Sequence, residues 1–172
     1  ISNVFEPLFQ AQNVYFIPAR KNFTDNNLIK EAIMKYGPVY TGVKLSSNLN
    51  QYNIGVNKAT HAVCIVGWDD KYSKTNFSPN APGDGAFIIK NSWGENTGNN
   101  GYQYVSYYDS VIGNLPYVND YNSVNFVVDF DNCYNYSNIY QYDSVCYVYE
   151  LGDTDGQYWI NNSYTIQNDE VI

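Results

Sequence analysis

Apolar residues recur with two different periods along the chain. Between Thr24 and Gly37, Leu28, Ile29, Ala32, Ile33 and Tyr36 fall three or four apart, the spacing that lines one face of an α-helix. Thr24 is placed as the N-cap, with Asp25 in the first turn, where a carboxylate suits the positive end of the helix dipole. Gly37-Pro38 stops the helix. Elsewhere the apolar residues come in runs of strand length: Val14 to Ile17 (closed by Pro18), Val39 to Leu45, Ala62 to Trp68, Ala86 to Lys90 and Tyr102 to Tyr107. Ala62 to Trp68 is apolar almost without interruption and reads as a strand buried on both faces. Asp69 to Gly85, with Pro79, Pro82, Gly83 and Gly85, reads as a long polar loop. Loops of that length are often functional or mobile.

After about Asp109 the texture changes. Val124 to Phe130 and Ser144 to Leu151 read as strands, separated by the Asn- and Tyr-rich stretch Asp131 to Asp143, and no helical period follows. Gly113, Asn114 and Pro116 cluster at the change. The pattern predicts an α+β part over residues 1–112 and a partial all-β domain over residues 113–172.

Composition narrows the function classes. The chain has 172 residues, 44% of them hydrophobic, which supplies a packed core and excludes wholesale disorder. A net charge of −8 argues against a nucleic-acid partner. Only 15% of residues are charged, so Asn, Ser, Thr and 19 tyrosines must supply the polar surface. That composition suits exposed β-structure, a cell-surface setting or sugar contact. No apolar run approaches the roughly 20 residues of a membrane-spanning helix, so no transmembrane segment is expected in this chain. The chain opens at Ile1 and its one methionine is Met34, as expected of a piece of something longer. Sequons stand at Asn22, Asn76, Asn135 and Asn161, several of which chance would supply in so Asn-rich a chain. Cys133 and Cys146 either pair across neighbouring strands in an oxidising compartment or stay as thiols, and Cys64 is left over.

The candidate chemistry begins at His61, the one histidine, at the mouth of an apolar strand. A neutral imidazole near pH 7 can take a proton from a thiol and return it to a leaving group. A lone histidine beside an apolar run is more often structural. Asn91-Ser92-Trp93-Gly94, which ends the strand Ala86 to Lys90, changes the balance. Neighbouring strands could bring Asn91 beside His61, where its carbonyl would accept the imidazole N–H and fix the ring's tautomer. Trp93 would then cover that bond. The blander alternative makes Asn91 a strand-end cap and Trp93 a core anchor.

These residues resemble the papain-like cysteine peptidases. His61-Ala62-Val63 with Val66-Gly67-Trp68 is similar to the family's histidine strand, and Ile89 to Gly94 to its asparagine motif. Gly98 and Gly101-Tyr102 fall at the family's spacing, and Thr24 to Leu45 resembles the helix and Gly-Pro-Val strand before the histidine. The resemblance covers roughly residues 14–108, the β-rich second half of the catalytic domain. It implies catalytic roles for His61 and Asn91, a shielding role for Trp93, and a roomy main side-chain pocket lined by Gly42 and Ala62. It implies no cofactor and no metal. Thr97 stands where the family often has a second Trp, and Thr60 where plant relatives often have Asp.

The loop Trp68 to Gly85 and the tail Val105 to Asp109 resemble a prokaryotic subgroup whose peptidase domain runs into a lectin-like β-domain, to whose start Ile139 to Asp143 is similar. That implies a polypeptide substrate, surface glycans as further partners, and an extracellular or cell-surface location. The nucleophilic cysteine of the family precedes the histidine by about 130–150 residues, so it is expected upstream of Ile1 with the rest of the N-terminal half of the domain. Cys64 lies an odd number of strand residues from His61, about 10 Å along the chain and on the other face. Cys133 is followed by Tyr134 in a loop-rich stretch, unlike the family's Cys-Trp helix start.

The expectation is therefore a fragment of a cysteine endopeptidase, inactive alone and exposing its inner face. The alternative is a catalytically inactive homologue or a carbohydrate-binding or adhesion module. A plain adhesion module predicts His61 and Asn91 beyond about 4 Å of one another.

Overall fold

The computed structural model describes residues 8–55, 58–114 and 124–135. The predicted strand Ser144 to Leu151, Cys146 and the stretch Ile139 to Asp143 lie outside them. The chain divides into a larger unit, Ala11–Asp131, and a smaller one made of Ile1–Gln10 with Asn132–Ile172.

The elements are β1 (Phe9–Ile17), α1 (Asn27–Tyr36), β2 (Val39–Val43), β3 (Asn50–Gln51), β4 (His61–Asp69), β5 (Ala86–Lys90), β6 (Tyr102–Ser106) and β7 (Asn125–Asn132). They form one mixed sheet in the order β1-β7-β2-β4-β5-β6-β3, with one α-helix beside it among the described residues. The α+β class expected from the sequence is borne out. Strands β2, β4, β5 and β6 run antiparallel to their neighbours, and β3 runs parallel to β6. Strand β7 joins the sheet through Tyr40↔Phe126, where the two rings stack with centroids 4.4 Å apart.

Three expectations are corrected. Thr24 does not cap the helix: its N–H and hydroxyl both bond Asn22 Oδ1, and the residue flanking α1 is Asn26. Asn26 makes no side-chain cap bond because its Oδ1 accepts from the guanidinium of Arg20 at 2.9 Å. Leu28 is 50% exposed, so the buried helical face is Ile29 and Ala32 with Ile33 and Tyr36 at its margin. Strand β4 is buried on one face only. Val63 and Ile65 are in the core, whereas Ala62 is exposed and Cys64 and Val66 are half-buried. An apolar run alone cannot tell one covered face from two.

The core lies between α1 and the sheet: Ile29, Val39, Val43, Val63, Ile65, Phe87, Ile89 and Val105 are all buried. The loop from Asp69 to Gly85 is less polar in effect than in composition. Phe77 and Ala81 fold inward onto Ala86, with Tyr52, Tyr72 and Tyr104 packed around them. Arg20 is 2% exposed and donates to the carbonyls of Phe23, Tyr107 and Ile112. It thereby ties the chain after β1 to the turn after β6. Nearby, Asp109 accepts from the backbone N–H groups of Asn53, Val111 and Ile112. Burial pushes its pKa up against those donors.

Candidate active site

Strand register creates the site. His61 opens β4, and Asn91 follows the last residue of β5. Antiparallel pairing of Cys64 with Lys90 carries the next residue of β5 to the level of Val63, two residues from His61 and on the same face. Asn91 is held there by its own N–H, which donates to Gly101 O at 3.0 Å. The chain must double back between Asn91 and Gly101. Gly98 makes this possible: it sits at φ +62°, and any Cβ there would collide with the Tyr102 carbonyl oxygen.

His61 Nε2 and Asn91 Oδ1 are 2.9 Å apart. The separation is inside hydrogen-bond reach, and the prediction of a plain adhesion module fails here. The backbone N–H of Ser92 donates to the same Oδ1 at 2.7 Å, as it would to an oxygen. His61 Nε2 must therefore donate, so in the neutral ring the lone pair is on Nδ1. The indole of Trp93 stacks on the imidazole, with centroids 4.9 Å apart and planes 29° from parallel. It is 44% exposed, so it is a cover rather than a core anchor. At the expected second-Trp position, Thr97 donates its hydroxyl to Trp93 O at 3.4 Å.

Gly42 and Ala62 face one another directly across β2 and β4. Gly42 is buried and Ala62 is exposed. Cys64 shares their face and pairs with Tyr40, on the side of the sheet away from His61. Burial pushes its thiol pKa up, which disfavours the thiolate. Cys64 and Cys133 are both free thiols. Among the described residues no three His, Cys, Asp or Glu side chains gather as a metal site, and no helix is long and apolar enough to cross a membrane.

One residue of the cluster was not singled out from the sequence. Gln103 on β6 is fully buried, and its Oε1 accepts from Asn91 Nδ2 at 2.8 Å. The signal was there: Gln103 alternates with Val105 on β6, a polar residue at a core position.

The arrangement is an imidazole held through one ring nitrogen by a neutral side-chain amide and covered by an indole. Comparison with known proteins gives this arrangement a family. The profile described as papain family cysteine protease matches residues 8–119. The chain belongs to that family. Among solved structures, a cysteine-to-alanine variant of the clostridial cysteine protease Cwp84 after propeptide cleavage is 31% identical, with a TM-score of 0.57; the match covers 76% of this chain and 32% of that one. The cysteine protease and lectin-like domains of Cwp84, a surface layer associated protein of Clostridium difficile, are 30% identical, with a TM-score of 0.58; coverage is 76% of this chain and 28% of that one. The chain thus spans about a third of the length of these relatives. No curated protein matches it significantly.

Proposed function

We propose that this chain is the histidine-and-asparagine half of a cysteine endopeptidase, and that its nucleophilic cysteine lies upstream of Ile1. The observation that carries the reading is the 2.9 Å contact between His61 Nε2 and Asn91 Oδ1 in a chain of the papain family. In this mechanism His61 Nδ1 takes the proton of the upstream thiol. The thiolate attacks the scissile carbonyl, and the tetrahedral adduct collapses as the imidazolium gives its proton to the departing amine. His61 then draws a proton from water, which attacks the acyl-enzyme and releases the second product. Asn91 holds the ring through both transfers without adding a charge. Trp93 keeps bulk water off the imidazole–amide bond. Gly42 and Ala62 leave room for a bulky substrate side chain.

In this reading residues 1–112 belong to the peptidase domain, and the chain over residues 113–172 leads into a second, lectin-like β-domain, although β7 itself still pairs with β2 of the larger unit. The relatives named as surface-layer associated and lectin-like support an extracellular or cell-surface location and contact with surface glycans. These 172 residues have no peptidase activity alone. The test is hydrolysis of a fluorogenic peptide by the protein encoded with its upstream sequence, with and without His61→Ala. Activity that depends on His61 supports the reading. A Ser, Ala or Gly at the upstream nucleophile position, with no hydrolysis, would move the protein to the inactive-homologue class.

A further inference from the structure

Gln103 is fully buried on β6, and its side chain reaches Asn91 of the half-site. Strand register puts it there. Gln103 pairs with Ile89, and Asn91 stands two residues further along β5 on the same face. The two side chains are diagonal cross-strand neighbours, a separation of about 7–8 Å between backbones that a long side chain bridges.

We propose that Gln103 is a positioning residue: it fixes which way round the Asn91 amide stands and, through Asn91, which nitrogen of His61 carries the proton. Some atoms in this chain of contacts have hydrogen-bonding roles that cannot change. The carbonyl oxygens of Ser46 and Asn48 can only accept, and the Gln103 side chain meets them at 2.9 and 2.5 Å. The atom facing them is therefore its Nε2. Its Oε1 is turned to Asn91, which must answer with Nδ2. Asn91 Oδ1 is then left for His61, and the imidazole must present Nε2–H. Two peptide carbonyls thus set the polarity of the whole relay, with no ionisable group in it besides His61. The N–H of Ser92, donating to the same Oδ1, agrees independently with that polarity.

The loop does not depend on Gln103 alone. Gln51 Nε2 also donates to Ser46 O and Asn48 O, at 3.2 and 2.6 Å. Its Oε1 accepts from the Ser46 N–H and hydroxyl. Removing the Gln103 amide leaves those carbonyls a donor but takes from Asn91 Nδ2 its acceptor.

The functional consequence rests on the peptidase reading, but the test does not. His61 is the one histidine of the chain, so its ring nitrogens give unambiguous ¹⁵N signals. The native protein is expected to hold the Nε2–H tautomer, with a slowly exchanging ring proton. Gln103→Met, matched in volume, leaves the Asn91 amide held by the Ser92 N–H alone and is expected to loosen it and speed exchange of that proton on the order of tenfold, as a lost partner for a buried amide predicts. Gln103→Glu keeps an acceptor for Asn91 and is expected to restore the native pattern. If Gln103 is only a filler and a loop tie, the order reverses: Gln103→Met leaves the ring unchanged and Gln103→Glu, which brings a carboxyl into the core, disturbs it. That result would overturn the proposal. Should Gln103→Met not fold, the native protein still decides. The Asn91 side-chain amide protons must show a nuclear Overhauser effect to Gln103; one to the His61 ring instead would also overturn it. Failure of the peptidase reading is separate, and would be seen as a complete protein that hydrolyses no peptide while the tautomer data stand.

Discussion

The two ends of β4 carry polar clusters of opposite character. At the start, His61, Asn91 and Gln103 form a hydrogen-bonded relay that contains no carboxylate. At the end, Asp70 accepts from Lys30 Nζ at 2.5 Å and from the Tyr107 hydroxyl at 2.8 Å. Lys30 also lies over the rings of Trp68 and Tyr107, 5.5 and 5.3 Å from their centroids. In the second cluster the Lys30 ammonium pairs with the Asp70 carboxylate and holds it below the usual carboxylate range. Burial and the Asp70 carboxylate push the Tyr107 phenol well above its ordinary value. Nothing there is left to react. In the first cluster the backbone fixes each polarity, and one lone pair, His61 Nδ1, is left over.

That contrast can be broken in either direction. The largest effect is expected from His61→Ala in the protein encoded with its upstream sequence, a fall in kcat/KM on the order of 10²–10⁴, the scale of general acid–base catalysis, with the melting temperature little changed. Asn91→Ala should cost roughly 10–100-fold in kcat/KM, the worth of a hydrogen bond to a group that becomes charged. Trp93→Ala should cost less, about a few-fold to tenfold, the scale of an aromatic contact. At the other end the readouts exchange places. Tyr107→Phe should leave kcat/KM alone and lower stability by about 1 kcal/mol, as for a net hydrogen bond, read by urea denaturation. If Tyr107→Phe instead reduced turnover more than stability, the second cluster would be part of the site.

The smallest effect is a pH dependence. The folded pKa of Asp70 is depressed, with the Lys30 hydrogen bond as the main cause. Its contribution is therefore present above the unfolded carboxylate value of about 4 and is lost as pH falls through the lower folded value. The Asp70 side chain is 60% exposed, so the contribution is that of a solvent-screened pair, under about 1 kcal/mol. Stability measured from pH 5 down to 2 should fall, and Asp70→Asn should flatten that fall slightly.

Much of this was legible in the sequence. The spacing of Ile29, Ala32, Ile33 and Tyr36 announces the helix, and the strand runs announce β2, β4, β5 and β6. Asn91-Ser92-Trp93-Gly94 with His61 announces the half-site because the family's motif is long and local. What was not legible depends on three-dimensional competition. Asn26, not Thr24, flanks the helix, and it makes no cap bond because Arg20 from outside the helix claims its side chain. Strand β4 is covered on one face only, which its near-continuous apolar run does not reveal. Gln103 needs the β5–β6 register before its polar side chain means anything.

The central claim is that this chain lends a base and its orienter to a cysteine it does not contain. The direct measurement is to treat the protein encoded with its upstream sequence, and separately these 172 residues, with an electrophilic peptide that alkylates thiolates, and to map the adduct by mass spectrometry. The account predicts one adduct on a cysteine upstream of Ile1, abolished by His61→Ala, and no adduct on the 172-residue chain. Labelling of Cys64, Cys133 or Cys146, or labelling upstream that ignores His61→Ala, would contradict it.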